Sequence, residues 1–328
     1  MITNFTRIVP FCSIYGTQKW YCYVLLILCS LALPVGILGN MAALLNYICC
    51  LKSWSSSKIL LFNLAICDFV WVLTIPVSIY LSLQKPPISH HRTFCKLKSI
   101  IFNINVYGSI LFLTLISFDR YAGTVHPISS LKWWNKRKVK ICSFVVWIIL
   151  LLESIPNFLL NFTVRKPDNT TACFQNIHAP VVYFKTVSIV RIIFGFLIPC
   201  VIMFTCYIMT VRVLRQLNQN QSLRRRPSKP LVLVNAAMVV FAISFVPYHI
   251  MIMTLLFLKI NNRINHENYA LYASYGFFET ICSISSCLDP ILYILASDRF
   301  QKNCKDLKSH HERILVNCFR SRKVGDLS

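Results

Sequence analysis

Most of the 328-residue chain consists of long apolar stretches separated by short polar ones. The apolar character is continuous along each stretch and does not alternate, which is typical of membrane helices and not of barrel strands. The stretches have 24 to 34 residues, enough to cross a hydrocarbon layer of roughly 30 Å. The pattern predicts an all-α membrane protein, a seven-transmembrane helix bundle. We expect the spans at Tyr21–Tyr47, Ile59–Leu83, Phe94–Arg120, Val139–Phe162, Val181–Leu214, Leu231–Leu258 and Tyr269–Leu295.

The composition agrees with this fold class. Hydrophobic residues make up 56% of the chain and charged residues 14%, against about 25% charged residues in soluble domains. Most of the net charge of +23 is explained by Lys and Arg gathering on the cytoplasmic side of membrane proteins, where they also attract anionic lipid. Anionic membrane lipid is therefore an expected partner, and nucleic acid is not. The outer side is basic as well, which topology does not require and which suggests an acidic ligand.

Positive charge also orients the spans in the membrane. The connections after the third and fifth spans and the tail lie on one side and are basic, so this side is predicted to be cytoplasmic. In a plasma-membrane protein, residues 1–20 are then the extracellular N-terminus, 21–295 the transmembrane domain and 296–328 a short amphipathic cytoplasmic helix with a basic tail. The opposite side carries sequences for glycosylation, at Asn4, Asn161 and Asn169.

Four of the fifteen cysteines suggest covalent modification. Cys95 opens the third span on the outer side, and Cys173 lies in the outer connection after the fourth. Because both face the oxidising side, we expect a disulfide between them. Cys304 and Cys318 follow the last span among basic residues, which is typical of palmitoylation sites.

A charged pair stands at the end of the apolar third span. Burying either charge of Asp119 or Arg120 without a partner would cost several kcal/mol. If the two residues pair, they can act as a latch that holds the closed bundle and frees the arginine on opening. The alternative is an arginine that extends to the membrane surface and anchors the helix end.

Further polar residues lie within the spans at similar depths. They are spread over four spans, and a carboxylate in hydrocarbon indicates a functional site. Together these residues predict a small polar chamber that could hold a sodium ion or ordered water; no other cofactor is expected. Its members are Asn40, Asp68, Ser109, Ser285 and Asp289.

These residues and several others follow one another along the seven spans in an order that resembles the order of the motifs in a rhodopsin-like (class A) G-protein-coupled receptor. The resemblance covers nearly the whole chain. Asp289, where most of the class has Asn, is typical of the branch that holds nucleotide, lysophospholipid and small-acid receptors. Stretches such as "LKSWSSSKILLFNL" and "SILFLTLISFDRY" are most similar to succinate receptors. The class motifs are Gly39-Asn40, Leu64-Ala65 with Asp68, Cys95, Asp119-Arg120-Tyr121, Trp147, Pro199, Phe245-x-Pro247 and Asp289-Pro290-x-x-Tyr293.

The resemblance implies roles for these motifs. Arg120 would pair with Asp119 at rest and contact a heterotrimeric G protein, with arrestin as a further partner, in the active state. Sodium held by Asp68, Ser109 and Asp289 would favour the inactive state. The residues implied in coupling and activation are Asp119, Arg120, Tyr121, Tyr207, Tyr293, Pro247, Phe245, Phe241, Ile110 and Pro199.

The chain departs from this branch at the basic residues that usually receive an acidic ligand. Ile252 stands three residues after His249, where a cation is usual, and Glu279 replaces an arginine of the seventh span. Ser99 and Asn103 occupy the matching positions of the third span. The identity of the ligand is therefore not carried over. The remaining candidates for ligand binding are Lys98, Asn103, Tyr107, Lys185, Arg191, Tyr248, His249, Ile252 and Glu279.

Two interpretations of Glu279 stay open. It either pairs with Arg191 or Lys98 in a structural role, or it receives an amine while basic residues receive an acid. We accordingly expect a receptor for a small anionic or zwitterionic extracellular ligand, similar to succinate receptors. The alternatives are a nucleotide, lysophospholipid or constitutively active receptor of the same branch, and a small-solute transporter. No catalytic set indicates an enzyme, and no internal repeat supports a transporter.

Overall fold

The computed structural model describes eight stretches of the chain: 19–49, 54–84, 88–159, 164–165, 171–172, 180–219, 229–263 and 269–296. Several predicted features lie outside these residues and stay predictions. They are the three glycosylation sites Asn4, Asn161 and Asn169, the disulfide partner Cys173, the palmitoylation sites Cys304 and Cys318, and the helix after the last span.

The described residues form a helical bundle, which confirms the predicted fold class. The first four spans are single helices, and a short connecting helix precedes the fourth. Each of the last three spans is divided into two helices. The helices are α1 (Lys19–Cys49), α2 (Ser56–Gln84), α3 (Ile88–Val125), α4 (Ser130–Trp133), α5 (Lys136–Leu159), α6 (Val181–Val190), α7 (Ile198–Gln219), α8 (Lys229–Val240), α9 (Val246–Ile260), α10 (Tyr269–Leu288) and α11 (Pro290–Ala296).

Each of the first six spans contains a helix long and apolar enough to cross a membrane. The fifth span joins α6 to α7, the sixth joins α8 to α9, and the seventh joins α10 to α11. The seventh span packs against α1, α2 and α9 and thereby completes the bundle. Between the fourth and fifth spans, strands β1 (Val164–Arg165) and β2 (Thr171–Ala172) form an antiparallel pair, and β2 contacts α3.

Wide helical turns of the π type interrupt the fifth span at Arg191–Leu197 and the sixth at Phe241–Phe245. Pro199 and Pro247 follow these two segments within two residues. A proline lacks the backbone N–H, and its ring clashes with the carbonyl four residues earlier. Gly195 and Ile243, which occupy those earlier positions, both lie within the wide turns. The prolines therefore account for the place where each span opens its hydrogen-bond ladder.

The side chains divide into an outer apolar face and a packed interior. Phe144 and Val182 are 67% and 77% exposed, as expected of residues that face lipid. Ile110, Phe112 and Phe245 are fully buried. Polar residues also lie deep in the interior, which a membrane bundle tolerates only where the polar groups find partners or have a function.

Gly39 sets the close contact between the first and the seventh span. A Cβ atom at Gly39 would lie 2.6 Å from Cγ and 2.8 Å from Cβ of Pro290. Both atoms belong to a rigid ring at the start of α11, so neither can move aside as the end of a flexible side chain could. The Gly39 and Pro290 motifs are therefore coupled by direct packing.

We predict that Gly39→Ala destabilises the protein by about 1–3 kcal/mol, because it overpacks this contact. The measurement is the apparent unfolding midpoint of the purified protein in detergent. Gly123→Ala is the matched control, since a Cβ atom there meets nothing within 4 Å and alanine favours a helix. Equal midpoints for the two variants would contradict the packing argument.

Candidate functional site

A polar chamber lies in the middle of the bundle around Asp68, which is fully buried. Its Oδ1 accepts hydrogen bonds from Asn105 Nδ2 at 3.1 Å and from Ser109 Oγ at 3.3 Å. Its Oδ2 accepts one from the Tyr293 hydroxyl at 3.0 Å. The Asn105 amide also donates to Ser286 Oγ at 2.9 Å. The second, third and seventh spans therefore meet at one carboxylate.

Asp289 shares this chamber but not its hydrogen bonds. Both of its carboxylate oxygens are buried without a hydrogen-bond donor, although its carboxyl group lies within reach of Asp68. Asn40 closes the chamber on the first span by donating to the Ser286 carbonyl at 2.7 Å and to the Gly36 carbonyl at 3.0 Å. Two neighbouring buried carboxylates repel each other unless a proton or a cation lies between them.

The structure thus brings together the predicted residues Asp68, Ser109 and Asp289 and adds Asn105, which the sequence analysis missed. Asn105 precedes Ser109 by one helical turn, so the two side chains lie on the same face of α3. That spacing could have identified it. Ser285 instead donates to the Cys282 carbonyl at 2.6 Å, while its neighbour Ser286 faces the chamber.

Near the predicted cytoplasmic end, Asp119 is held by partners other than Arg120. Ser57 Oγ donates to its Oδ2 at 2.5 Å, and Trp134 Nε1 donates to its Oδ1 at 2.9 Å. An ion pair elsewhere in the bundle joins Arg191 and Glu153. The expected pair of Asp119 and Arg120, both of which the structure describes, is not formed.

The geometry of a helix explains this difference, because adjacent residues point in different directions and do not face each other. Asp119 is directed towards the second span and the connection after the third. The Nε of Arg120 is buried without a hydrogen-bond partner. Tyr121 faces away from both and lies 3.3 Å from His126 Nε2 through its hydroxyl. Arg120 thus forms no ion pair with Asp119 in this state.

Packed aromatic rings, here called the aromatic relay, connect Phe196 of the fifth span with the predicted activation residues Phe241 and Phe245 of the sixth span. Phe241 stacks on Phe196 with ring centroids 5.6 Å apart, and it contacts Phe245 at 5.9 Å. Phe196 is also stacked on the ring of His249, with centroids 4.1 Å apart. Phe196 belongs to the wide turn of the fifth span, and Phe241 to that of the sixth. A shift of either turn would be transmitted directly to the other.

A small cavity of about 20 Å³ lies between the third, fifth, sixth and seventh spans, towards the predicted outer side. Its volume suffices for about one water molecule, so the bundle is closed at this place. Its lining combines aromatic, aliphatic and polar side chains. It is lined by Tyr107, Tyr183, Phe184, Val187, Ser188, Arg191, Tyr248, Ile252 and Tyr275.

Arg191 is the cation among these lining residues, and its charge is already balanced. It forms an ion pair with Glu153 of the fourth span, in which the arginine side chain is 12% and the glutamate side chain 21% exposed. The guanidinium carbon also lies 5.7 Å from the ring centroid of Tyr107. Gly195 permits this arrangement, since a Cβ atom there would lie 2.6 Å from Tyr107.

The candidates for ligand binding separate into two groups. Tyr107, Arg191, Tyr248 and Ile252 line the cavity, whereas the others lie elsewhere. Lys185 is exposed, and Lys98 acts electrostatically on Glu279. Asn103 is buried, and its Nδ2 has no hydrogen-bond partner.

His249 is buried beside the cavity and does not line it. Its Nδ1 lies 2.8 Å from the Phe245 carbonyl, and its Nε2 is buried without a hydrogen-bond partner. The ring therefore lies between the cavity residue Tyr107, at 5.8 Å between centroids, and the stacked Phe196.

The structural interpretation paired Glu279 with Arg191 or Lys98, and the first of these two pairings is not found, because Glu153 of the fourth span pairs with Arg191. Lys98 acts electrostatically on Glu279, so the second pairing stays a prediction. Glu153 was not among the residues predicted to bind a ligand. Tyr183 and Tyr275 were also missed, since an isolated tyrosine in an apolar span carries no distinctive pattern.

Comparison with known proteins identifies the class. A family model described as "7 transmembrane receptor (rhodopsin family)" matches residues 39–293. The chain therefore belongs to the rhodopsin family of G-protein-coupled receptors. Members are signalling receptors, which confirms that the chain is not an enzyme and sets aside the transporter alternative.

Several curated relatives are purinoceptors. The chain is 34% identical to purinoceptor 1 of Rattus norvegicus over 296 residues, which are 88% of this chain and 77% of the relative. It is 33% identical to the Gallus gallus protein of the same name over 299 residues, covering 88% and 79%. For purinoceptor 4 of Xenopus laevis the identity is 32% over 283 residues, covering 83% and 51%. These relatives agree with the predicted nucleotide-receptor branch, while the ligand itself stays a prediction.

We predict that Trp134→Phe destabilises the receptor by about 1 kcal/mol, because it removes the hydrogen bond to Asp119 and keeps an aromatic ring against Phe118. Thermal unfolding of the purified protein measures this effect. Trp133→Phe is the control, because Trp133 also packs on Phe118, at 5.9 Å, but has no hydrogen bond to Asp119. A loss in the control as large as in Trp134→Phe would refute the role of the indole N–H.

Proposed function

We propose that the receptor binds a small extracellular ligand with an acidic group, anionic or zwitterionic, in the tyrosine-lined cavity. Binding there activates a heterotrimeric G protein at the opposite, cytoplasmic end of the bundle. In this orientation the N-terminus is extracellular and the C-terminus cytoplasmic. The observation that carries the proposal is the position of Arg191, a cation at the wall of a cavity whose other polar groups are hydroxyls.

The lining residues favour a ligand that combines a planar ring with few negative charges. Tyr107, Tyr183, Tyr248 and Tyr275 supply aromatic faces and edges, which pack well against a flat ring. The relatives named purinoceptors support a purine-like ring. Each charge-assisted hydrogen bond to an acid contributes about 1.5–3 kcal/mol, and Ile252 cannot supply one. A ligand with several phosphate groups would therefore lack partners among the lining residues.

The cavity must enlarge to receive such a ligand, since its present volume is about 20 Å³. A ligand shifts a bundle between states only through its different affinity for them. The wide turns at Arg191–Leu197 and Phe241–Phe245 are suited to this change, because the first carries both Arg191 and Phe196. Movement of Arg191 towards a ligand would displace Phe196 against Phe241, and so reach the sixth span.

The chamber around Asp68 fits a sodium ion that favours the resting state. Asp289 contributes two buried oxygens without donors, and Ser109 contributes a hydroxyl. Carboxylate and hydroxyl oxygens are the ligands that hard cations prefer. A sodium ion there supplies the positive charge that two buried carboxylates otherwise lack.

The other partners act at the cytoplasmic end. Arg120, which has no salt bridge to Asp119, would contact the G protein once the sixth span moves, and arrestin would use the same opening. The connection around Trp133 and Trp134 carries Lys132, Lys136 and further basic residues that would bind anionic lipid. This arrangement joins the ligand end to the coupling end through the relay of Phe196 and Phe241.

The test is G-protein dissociation in cells that express the intact receptor. The panel contains nucleosides, nucleoside mono-, di- and triphosphates, dicarboxylates including succinate, lysophospholipids and zwitterionic metabolites. We predict the strongest response to a singly acidic or zwitterionic compound. The double variant Glu153→Gln/Arg191→Gln should lose that response at normal surface expression, because it removes the cation without leaving an unpaired buried charge.

Lys185→Gln is the matched control, since Lys185 lies on the same span as Arg191 but is exposed and does not line the cavity. It should keep the response. An undiminished response in the double variant would overturn the proposed site. A dicarboxylate as the strongest agonist would instead favour the succinate-receptor alternative. High basal signalling without any response would favour the constitutively active one.

A further inference from the structure

The Arg191–Glu153 pair has a one-sided geometry. Nε of Arg191 donates to Oε1 of Glu153. Nη2 lies within ion-pair distance of the same oxygen but, like Oε2 of Glu153, is buried without a hydrogen-bond partner. A guanidinium carries five N–H donors in a planar fork, and Nε and Nη2 account for only one of its edges. The fork is thus anchored from one side by a single carboxylate oxygen.

The two partners occupy different positions relative to the cavity. Arg191 lines it, whereas Glu153 does not. Glu153 comes from the fourth span, and the other lining residues come from the third, fifth, sixth and seventh. Arg191 therefore lies between the cavity and Glu153. A ligand in the cavity would contact the positive charge directly and would be separated from the negative charge by the arginine.

We propose that Glu153 is a built-in competitor for Arg191 and sets how much negative charge the cavity accepts. This inference rests on the proposed function. An acidic ligand must share the guanidinium with Glu153 or draw it away. In a site of low dielectric constant, the nearby carboxylate weakens the attraction of Arg191 for any second anion. Glu153 is therefore a specificity-determining residue that acts through Arg191 and selects weakly charged ligands.

Neutralising Glu153 separates this role from simple structural pairing. The purified full-length receptor is reconstituted in lipid nanodiscs, and its unfolding midpoint is recorded against adenosine 5′-monophosphate and against succinate. Adenosine is the uncharged control ligand. We expect Glu153→Gln to reach its half-maximal shift at a concentration of either acid at least about tenfold lower than wild type. The response to adenosine should not change.

Two further variants show whether a gain in affinity depends on the charge of Glu153 and on Arg191. Glu153→Asp retains the charge but shortens the side chain, so its affinity for both acids should lie between those of wild type and Glu153→Gln. The affinities of Glu153→Asp also test the inference if Glu153→Gln fails to fold. The double variant Glu153→Gln/Arg191→Gln should bind neither acid better than wild type, because the gain requires the arginine.

The inference is overturned if the folded Glu153 variants bind both acids no better than wild type, or if adenosine gains as much as the acids do. The proposed function fails in a different way. It is contradicted when the double variant still signals fully in cells, whatever the single variants bind. A lost response in the double variant, without a gain in Glu153→Gln, would leave the cavity as the ligand site but remove Glu153 as the competitor.

Discussion

The hydrocarbon core of the membrane offers no water to polar groups, and the rest of this structure depends on that constraint. A buried polar atom must find a partner within the bundle or remain unsatisfied at a cost of several kcal/mol. Asp68 satisfies the constraint through donors on the third and seventh spans. Arg191 satisfies it through Glu153. These contacts fix the rotation of the spans, because each one requires particular faces to point inwards.

Several of the buried polar atoms without hydrogen-bond partners lie where the receptor is proposed to act. Asp289 has two such oxygens, Arg120 has Nε, and His249 has Nε2. They stand at the cation chamber, at the coupling end and between the cavity and the aromatic relay. A buried group without a partner is costly in one state and can be satisfied in another, by an ion, a protein or a rearranged neighbour. Because the two arrangements of the helices differ in which polar groups are satisfied, a ligand can shift the bundle from one arrangement to the other.

The sequence was sufficient for the spans, since continuous apolar stretches of this length are typical of membrane-spanning helices. It also predicted that Asp68, Ser109 and Asp289 converge, because they lie at similar depths. Pairing between side chains was harder to predict, since it depends on how each helix is rotated about its axis. Adjacency suggested that Asp119 pairs with Arg120, yet Ser57 and Trp134 reach its carboxylate from other elements. The partner of Arg191 was likewise missed, because Glu153 lies on a different span at a distance of 38 positions.

The claim that unsatisfied carboxylate oxygens mark a functional cation site is tested most directly by the unfolding midpoint in different salts. The purified receptor is compared with Asp289→Asn in sodium chloride and in potassium chloride of equal ionic strength. A bound ion stabilises the state that binds it, so sodium should raise the midpoint of the wild type more than potassium does. The preference for sodium should be lost in Asp289→Asn. Equal midpoints of the wild type in the two salts, or an unchanged preference in the variant, would contradict the account.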